Sequence, residues 1–183
     1  MGTNPEIGKS VVANGINTNY IEAGSGDPLI LIHGSGPGVT AFANWNGVIP
    51  TLSERFHVYA PDMVGFGYTD CPEDIKDFTL DFWVSHIIAF MDALGIAKAR
   101  FIGNSYGGAH SLAVAARHPV RVVKFVLMGA AGLKFEMSKG LEQVWGYQPS
   151  PENMRKLMET FAYPSDLVTD LIVQSRHGAG IRP

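Results

Sequence analysis

The segment ARFIGNSYGGAH, residues 99–110, holds a serine flanked by glycines where one apolar run ends and another begins. Its core, Gly103-Asn104-Ser105-Tyr106-Gly107, matches the pattern G-x-S-x-G, which is typical of a sharp turn from a strand into a helix. Only small neighbours let the strand and the helix pass closely at such a turn, which explains the glycines. A serine hydroxyl is a weak nucleophile at neutral pH and needs a base beside it. The segment therefore predicts a reactive turn and raises the question of which group takes the proton from Ser105.

Strands and helices alternate around this turn. Asn14-Gly15 is a strong hairpin signal, because both central residues of a type I′ turn need positive φ. Strand-like runs follow at DPLILIHG, FHVYAPD, ARFIG and VVKFVLMG, and helices are predicted from about Ala41 to Glu54, within FTLDFWVSHIIAFMDALG and along YGGAHSLAVAARH. This alternation predicts an α/β fold with a mostly parallel sheet and helices on both faces.

The pattern changes at Lys134, after which helical stretches follow without a strand. Ser150-Pro151-Glu152 offers a cap, a proline and an acid in the order that favours the start of a helix. A second helix is predicted to begin near Ser165. We therefore expect residues 1–133 to form the N-terminal part of a core, and residues 134–183 to form part of a helical insertion, or lid.

Length and composition favour a packed globular protein. The chain has 183 residues, of which 46% are hydrophobic and 17% charged, with a formal net charge of −3. The net charge is small and the charged residues do not form runs, so the sequence shows no basic segment suited to nucleic acid or to an anionic membrane. No apolar stretch approaches the roughly 18 residues of a membrane span. A single cysteine, Cys71, and a start without an apolar leader favour a reducing compartment, so a cytoplasmic protein is expected.

A second glycine-rich loop, HGSGPG, follows the third predicted strand. An oxyanion is stabilised by backbone N–H donors, and in architectures with this serine turn they come from the residue after the serine and from the loop after the third strand. Ser35 and Tyr106 are the predicted pair. The alternative for this loop is a phosphate cradle, but its spacing is G-x-G-x-G, Pro37 removes one donor, and no Walker lysine follows.

The order of elements and the motifs HGSGPG and GNSYGG resemble the α/β-hydrolases. More narrowly, LIHGSGPGVTAFANW, APDMVGFGYTD, MDALGIAKARFIGNSYGG, VLMGAAG, VWGYQPS and FAYPSDLVTD resemble the meta-cleavage product hydrolases of bacterial aromatic degradation, especially those acting on 2-hydroxymuconic semialdehyde. The resemblance implies hydrolysis of a C–C bond in a 2-hydroxy-6-oxo-dienoate without a metal or organic cofactor. It also implies a tendency to associate into homo-oligomers.

The resemblance gives roles to the residues of the two loops. Ser105 would be the nucleophile, or alternatively a serine that acts in acid–base catalysis. Ser35 and Tyr106 would donate the oxyanion N–H groups, and Gly36 would line the same loop. No residue of this chain is implied as a metal ligand.

Three further residues are implied to bind the substrate. Asn44 and Asn104 would hold polar groups of the dienoate, and Arg176 would pair with its carboxylate. A planar guanidinium suits bidentate contact with a carboxylate. Two structural alternatives stay open: Asn104 as a cap of the helix after the turn, and Arg176 as a solvated residue of the lid.

The acid and the histidine of the catalytic triad follow the serine in the chain order of this fold. None of the six histidines fits that position, and Asp62 and Asp70 are expected to be loop residues. His33 is expected to hold the loop backbone by hydrogen bonding. We therefore expect an N-terminal fragment of a longer enzyme, inactive by itself, with VVKFVLMG as an apolar strand at the edge of the sheet.

Two other functions remain open from the sequence. One is an esterase or lactonase of the same fold, which would turn over a nitrophenyl ester but not the dienoate. The other is a non-catalytic, hydrolase-like binding protein, which would bind a dienoate without forming product and would be insensitive to Ser105→Ala.

Overall fold

Six strands form one mixed sheet in the computed structural model, which describes residues 4–73, 78–132, 134–162 and 167–181. The strands are β1 (Lys9–Ala13), β2 (Ile16–Ala23), β3 (Asp27–Ile32), β4 (Phe56–Pro61), β5 (Ala99–Asn104) and β6 (Val122–Met128). They lie in the order β1-β2-β4-β3-β5-β6. Strands β3 to β6 run parallel, while β1 and β2 pair antiparallel with their neighbours. The predicted α/β fold with a mostly parallel sheet is confirmed.

The hairpin predicted at Asn14-Gly15 is also confirmed. Asn14 has φ 51° and Gly15 has φ 78°, as both central residues of a type I′ turn require. The turn pairs Ala13 with Ile16 across the two strands. Both side chains are buried, so the turn sets the register that points them into the core.

Seven helices accompany the sheet in the described ranges. They are α1 (Ala41–Trp45), α2 (Ile49–Ser53), α3 (Leu80–Ala93), α4 (Tyr106–Arg117), α5 (Lys139–Trp145), α6 (Pro151–Phe161) and α7 (Asp170–Gly180). The prediction of one helix from Ala41 to Glu54 is wrong, because this region forms α1 and α2. Pro50 lies in the first turn of α2, where its missing N–H is harmless, whereas inside a continuous helix its ring would clash with the preceding turn.

The helices after residue 134 follow the prediction in part. Ser150 caps α6 by accepting a hydrogen bond from Asn153 N at 3.0 Å, as expected. The predicted helix start near Ser165 lies outside the described residues, and α7 begins at Asp170 with Thr169 as its cap. The sequence pattern does not indicate helix α5 (Lys139–Trp145), because Gly140 in its first turn lowers the helix propensity. Among the described helices, none has the length and apolarity of a membrane span.

The chain divides into two compact units, one running to Ser35 and from Thr40 to Gly132, the other comprising Gly36–Val39 and α5 to α7. In the first unit, alternate residues of β3 enter different clusters. Ile30 and Ile32 pack with side chains of α3, whereas Leu29 and Leu31 pack with side chains of α1 and α2. This confirms helices on both faces of the sheet, since each face of a buried parallel strand is apolar. The second unit has its own small cluster, which contains Val144, Met154, Leu157, Val168 and Val173.

Strand β6 exposes apolar side chains. It pairs with β5, and the sheet order gives it no second neighbour among the described strands. Its side chains with between 36% and 55% of their surface exposed are Val123, Phe125, Val126, Leu127 and Met128. An apolar strand with an unpaired edge is a template for pairing with a further strand.

Candidate active site

Ser105 occupies a strained turn between β5 and α4. Its backbone has φ 51° and ψ −113°, a conformation that costs a residue other than glycine about 1–3 kcal/mol. Neighbouring backbone holds the turn: Ser105 N–H donates to Met128 O at 2.8 Å, and Ser105 O accepts from Gly108 N and from Ala131 N, both at 3.0 Å. Strand β6 and the loop that follows it therefore stabilise the conformation that lifts the serine above the carboxyl end of the sheet.

The glycines of the turn allow close approach of α4 to the sheet. A Cβ atom on Gly103 would lie 2.6 Å from Ser111 Oγ, and one on Gly107 would lie 2.5 Å from the carbonyl oxygen of His33. Both distances are too short for real Cβ atoms, so any side chain at either position would push α4 away from β3 and β5. The glycines on both sides of Ser105 are thus explained by packing.

The loop after β3 lies against this turn at Gly34. A Cβ atom on Gly34 would be 3.3 Å from Asn104 Nδ2 and 3.4 Å from Ser105 Cβ. The side chain of Asn44 joins the two loops, because its Oδ1 accepts from Gly34 N at 2.9 Å and from Asn104 Nδ2 at 3.1 Å. The structure therefore brings Asn44, Asn104 and Ser105 together beside Gly34.

The two predicted oxyanion donors keep their backbone N–H groups available. Within the described ranges, neither Ser35 N–H nor Tyr106 N–H donates a hydrogen bond to the protein. Tyr106 is the first residue of α4, where N–H groups have no partner inside the helix and the helix dipole favours negative charge. An unpaired donor on the residue that follows Ser105, and another on the residue that follows Gly34, suit the binding of a developing oxyanion.

Gly36 and Arg176 belong to the second unit. Arg176 Nη1 donates to the carbonyl oxygen of Gly38 at 2.9 Å, and Val39 N–H donates to Gly36 O at 3.3 Å in the same loop segment. The predicted roles of Gly36 and Arg176 toward a substrate stay predictions.

No described side chain forms a hydrogen bond with the Ser105 hydroxyl. His110, on α4, is 1% exposed, and its ring contacts Tyr106 with 4.4 Å between centroids and Trp83 with 5.1 Å. Burial lowers the pKa of His110 to about 4, with a further decrease from the nearby His33, so the ring is neutral at pH 7. The described residues contain no group of three or more His, Cys, Asp or Glu side chains placed to bind a metal ion.

Asp62 is buried and accepts hydrogen bonds from three other residues, whereas the sequence indicated only a loop residue at this position. It is 0% exposed, its Oδ1 accepts from Ala41 N at 2.6 Å, and its Oδ2 accepts from Asn19 Nδ2 at 2.8 Å and Tyr68 N at 2.9 Å. The carboxylate thus joins β2, α1 and the loop after β4. One feature of the sequence points to this role of Asp62: an aspartate directly follows a strand, and a glycine, Gly67, comes five residues later. The glycine is needed because a Cβ atom at this position would overlap the Asp62 carboxylate.

Replacing Asp62 with asparagine is expected to lower the free energy of unfolding by about 2–4 kcal/mol, because a buried donor loses its acceptor. The new NH₂ group must face either Ala41 N–H or the donors of Asn19 and Tyr68. Urea denaturation of the chain measures the change. Asp70→Asn, an exposed matched control, is expected to stay within about 0.5 kcal/mol of wild type. Equal unfolding midpoints for the two variants would contradict the conclusion that the hydrogen bonds of the Asp62 carboxylate stabilise the fold.

Residues 27–165 match the model of the alpha/beta hydrolase fold, and the chain belongs to that family. It is 52% identical over 180 residues to the 2-hydroxy-6-oxo-2,4-heptadienoate hydrolase of Pseudomonas putida strain F1. It is also 50% identical over 179 residues to the 2-hydroxymuconate semialdehyde hydrolase of Pseudomonas sp. strain CF600. These alignments cover 98% of this chain, but only 65% and 63% of the two relatives. The chain thus spans less than two thirds of the length of these curated relatives.

A solved structure supports the same similarity. The meta-cleavage product hydrolase from Pseudomonas fluorescens IP01 superposes with a TM-score of 0.95 at 55% sequence identity. The match covers 98% of this chain and 66% of that protein. The resemblance to the meta-cleavage product hydrolases is therefore confirmed as a similarity of both sequence and fold.

Proposed function

We propose that this chain carries the reactive serine of a hydrolase that cleaves a C–C bond in a 2-hydroxy-6-oxo-2,4-dienoate, a ring-fission product of aromatic degradation. The observation that carries the proposal is the strained Ser105 turn packed against the Gly34 loop, with the Ser35 and Tyr106 N–H groups available. The substrate class comes from the relatives, whose names specify heptadienoate and muconate semialdehyde hydrolases.

The proposed reaction begins at the C6 ketone of the substrate. Ser105 Oγ adds to this carbonyl carbon, or it assists a water molecule that does so, and a tetrahedral oxyanion forms at the C6 oxygen. Ser35 N–H and Tyr106 N–H bind this oxygen, and each such donor contributes about 10²–10³ in rate. The proton of the attacking hydroxyl passes to a base. Before the C5–C6 bond breaks, the proton of the 2-hydroxyl group moves to C5, so that the electron pair of the broken bond enters the conjugated 2-oxo group. The base returns its proton to the 2-oxygen, which releases a 2-hydroxypentadienoate. The C6 fragment leaves as a small acid, directly when water has attacked or after water has hydrolysed its ester with Ser105, with no cofactor.

The two asparagines limit how the dienoate is held. Since Asn44 Oδ1 is used by Gly34 N–H and Asn104 Nδ2, Asn44 offers the substrate only its Nδ2 donors. Asn104 Nδ2 donates one of its two hydrogens to Asn44 Oδ1, and Asn104 Oδ1 can accept from the 2-hydroxyl group of the substrate. The carboxylate-binding role of Arg176 and the loop-lining role of Gly36 rest on the resemblance alone.

We also propose that the base for Ser105 comes from a segment that follows residue 183. The acid and histidine of this fold come after the serine and after the lid, and the relatives are longer than this chain. The apolar edge of β6 suits pairing with a strand of such a segment. In this proposal residues 1–133 are the core part, residues 134–183 are the lid part, and the enzyme acts in the cytoplasm.

The test compares the chain with an extended protein. The extended protein consists of residues 1–183 followed by the C-terminal segment of the Pseudomonas putida relative, which lies outside the 65% of that relative aligned with this chain. We expect the extended protein to remove the visible absorbance of 2-hydroxy-6-oxo-2,4-heptadienoate. The 183-residue chain alone should remove this absorbance no faster than its own Ser105→Ala variant does. A folded extended protein that hydrolyses only nitrophenyl esters would favour the esterase function. Dienoate binding without product would favour the binding protein.

A further inference from the structure

We propose that His33 and Asn44 are positioning residues that fix the direction of the Ser35 N–H by holding both sides of Gly34. The inference rests on the proposed function, in which Ser35 N–H is an oxyanion donor. It assigns Asn44 a task within the protein in addition to the substrate contact implied by resemblance. It also makes His33 more than a support of the loop backbone, because the orientation of one particular peptide depends on it.

Gly34 is held at both of its peptide groups. Its N–H donates to Asn44 Oδ1 at 2.9 Å, and its carbonyl oxygen lies 2.7 Å from His33 Nδ1. In a trans peptide the C=O and the following N–H point in opposite directions. The contact of His33 with Gly34 O therefore turns the Ser35 N–H away from His33, where it meets no described protein acceptor.

The contacts of His33 define its tautomer. A carbonyl oxygen can only accept, so Nδ1 carries a proton that it donates to Gly34 O. Nε2 is 2.9 Å from the donor Met63 N, so Nε2 is an unprotonated acceptor. The ring is 2% exposed, and burial lowers the pKa of His33 although Gly34 O and the charge of Asp62 oppose the shift. The neutral Nδ1–H form is therefore the one that satisfies both contacts.

The two residues that hold Gly34, Asn44 and His33, both depend on Asp62. Its carboxylate accepts from Ala41 N at 2.6 Å and so fixes the start of α1, the helix that carries Asn44. Its backbone precedes Met63, whose N–H holds His33. We call His33, Asn44 and Asp62 the Gly34 clamp.

The clamp compensates for the freedom of the loop. Gly36 has φ 148° and Gly38 has φ 68°, conformations that glycine adopts easily and that leave the backbone few constraints of its own. Donors act on a transition state without a reorganisation cost only when they are already oriented. Holding Gly34 at its N–H and its C=O orients the adjoining donor before substrate arrives.

Two substitutions of His33 separate the two ring contacts. In His33→Asn, the amide Nδ2 occupies roughly the place of Nδ1 and can donate to Gly34 O, but nothing accepts from Met63 N–H. In His33→Gln, Oε1 reaches the place of Nε2 and can accept from Met63 N–H, but Gly34 O loses its donor. His86→Gln is the matched control, because His86 is also buried and makes one side-chain contact, with Thr18 Oγ1 at 2.9 Å.

The first arm uses ¹⁵N NMR of the 183-residue chain and needs no activity. We expect the wild-type His33 ring to show the Nδ1–H tautomer. The Ser35 amide signal should shift strongly in His33→Gln, little in His33→Asn and not in His86→Gln. An Nε2–H tautomer, or equal shifts of the Ser35 signal in both His33 variants, would overturn the proposal even if His33→Gln should fail to fold.

The second arm measures dienoate hydrolysis by the extended protein. His33→Gln is expected to lower kcat by about 10²–10³, the loss of one oxyanion donor, with little change in KM. His33→Asn should stay well above it, and His86→Gln should match wild type in kcat. Equal losses in both His33 variants would indicate packing alone and overturn the proposal. An inactive wild type would contradict the proposed function, and the NMR arm would then decide on the clamp.

Discussion

Replacing Ser105 with alanine is expected to lower kcat of the extended protein by about 10⁶, since removing the nucleophile of a serine triad costs this much. KM should change little, because the hydroxyl acts on the bond that reacts and not on the groups that hold the substrate. Residual catalysis of about 10³–10⁴ over water can remain from the oxyanion donors and binding. The measurement is the rate at which dienolate absorbance disappears under saturating substrate.

Ser105→Gly is the matched variant that separates chemistry from strain. Glycine adopts φ 51° freely, so it should relieve about 1–3 kcal/mol of strain, offset by about 0.5–1 kcal/mol from its greater freedom in the unfolded chain. We expect the 183-residue chain with glycine to unfold at a higher urea concentration than the chain with alanine, while both variants lose activity alike. Turnover within tenfold of wild type in either would exclude Ser105 as the reacting group, and equal midpoints would exclude the strain.

Gly107→Ala is expected to destabilise the chain by about 3 kcal/mol or more, the range of severe overpacking. The new Cβ would lie 2.5 Å from His33 O and 2.7 Å from the carbonyl carbon of Ile32. These are backbone atoms of β3 and its loop, which cannot rotate aside as a side chain would. Helix α4 would have to move away from β3, and Ser105 would move with it.

The sign of this effect distinguishes packing from helix propensity. Propensity alone predicts that alanine stabilises a helix by up to about 1 kcal/mol relative to glycine. Gly178→Ala, in α7, is the matched control, because a Cβ atom there has nothing within 4 Å. We expect Gly178→Ala to be neutral or slightly stabilising in urea denaturation. A Gly107→Ala variant as stable as wild type would show that α4 does not need this close approach.

The sequence by itself determined the elements whose causes are local. Asn14-Gly15 fixed a hairpin because two adjacent residues can adopt positive φ, and Ser150 fixed a helix start because its side chain reaches an N–H three residues away. The turn at Ser105 was predictable for the same reason, since its glycines stand next to the serine that they serve. The family followed from several such motifs in one order along the chain.

The tertiary structure alone decided how the loops around Ser105 are held. Asp62 contacts Ala41, Asn19 and Tyr68, and Asn44 joins Gly34 to Asn104. These contacts connect residues that are mostly far apart in sequence, and periodicity or capping rules carry no information about such distances. The strand order brings them together. The parallel strands β3, β4 and β5 end at one edge of the sheet and place their following loops side by side, while β2 pairs with β4 and so places Asn19 next to Asp62. Residue types fixed which hydrogen bonds were available, and only the folded sheet selected which of them form.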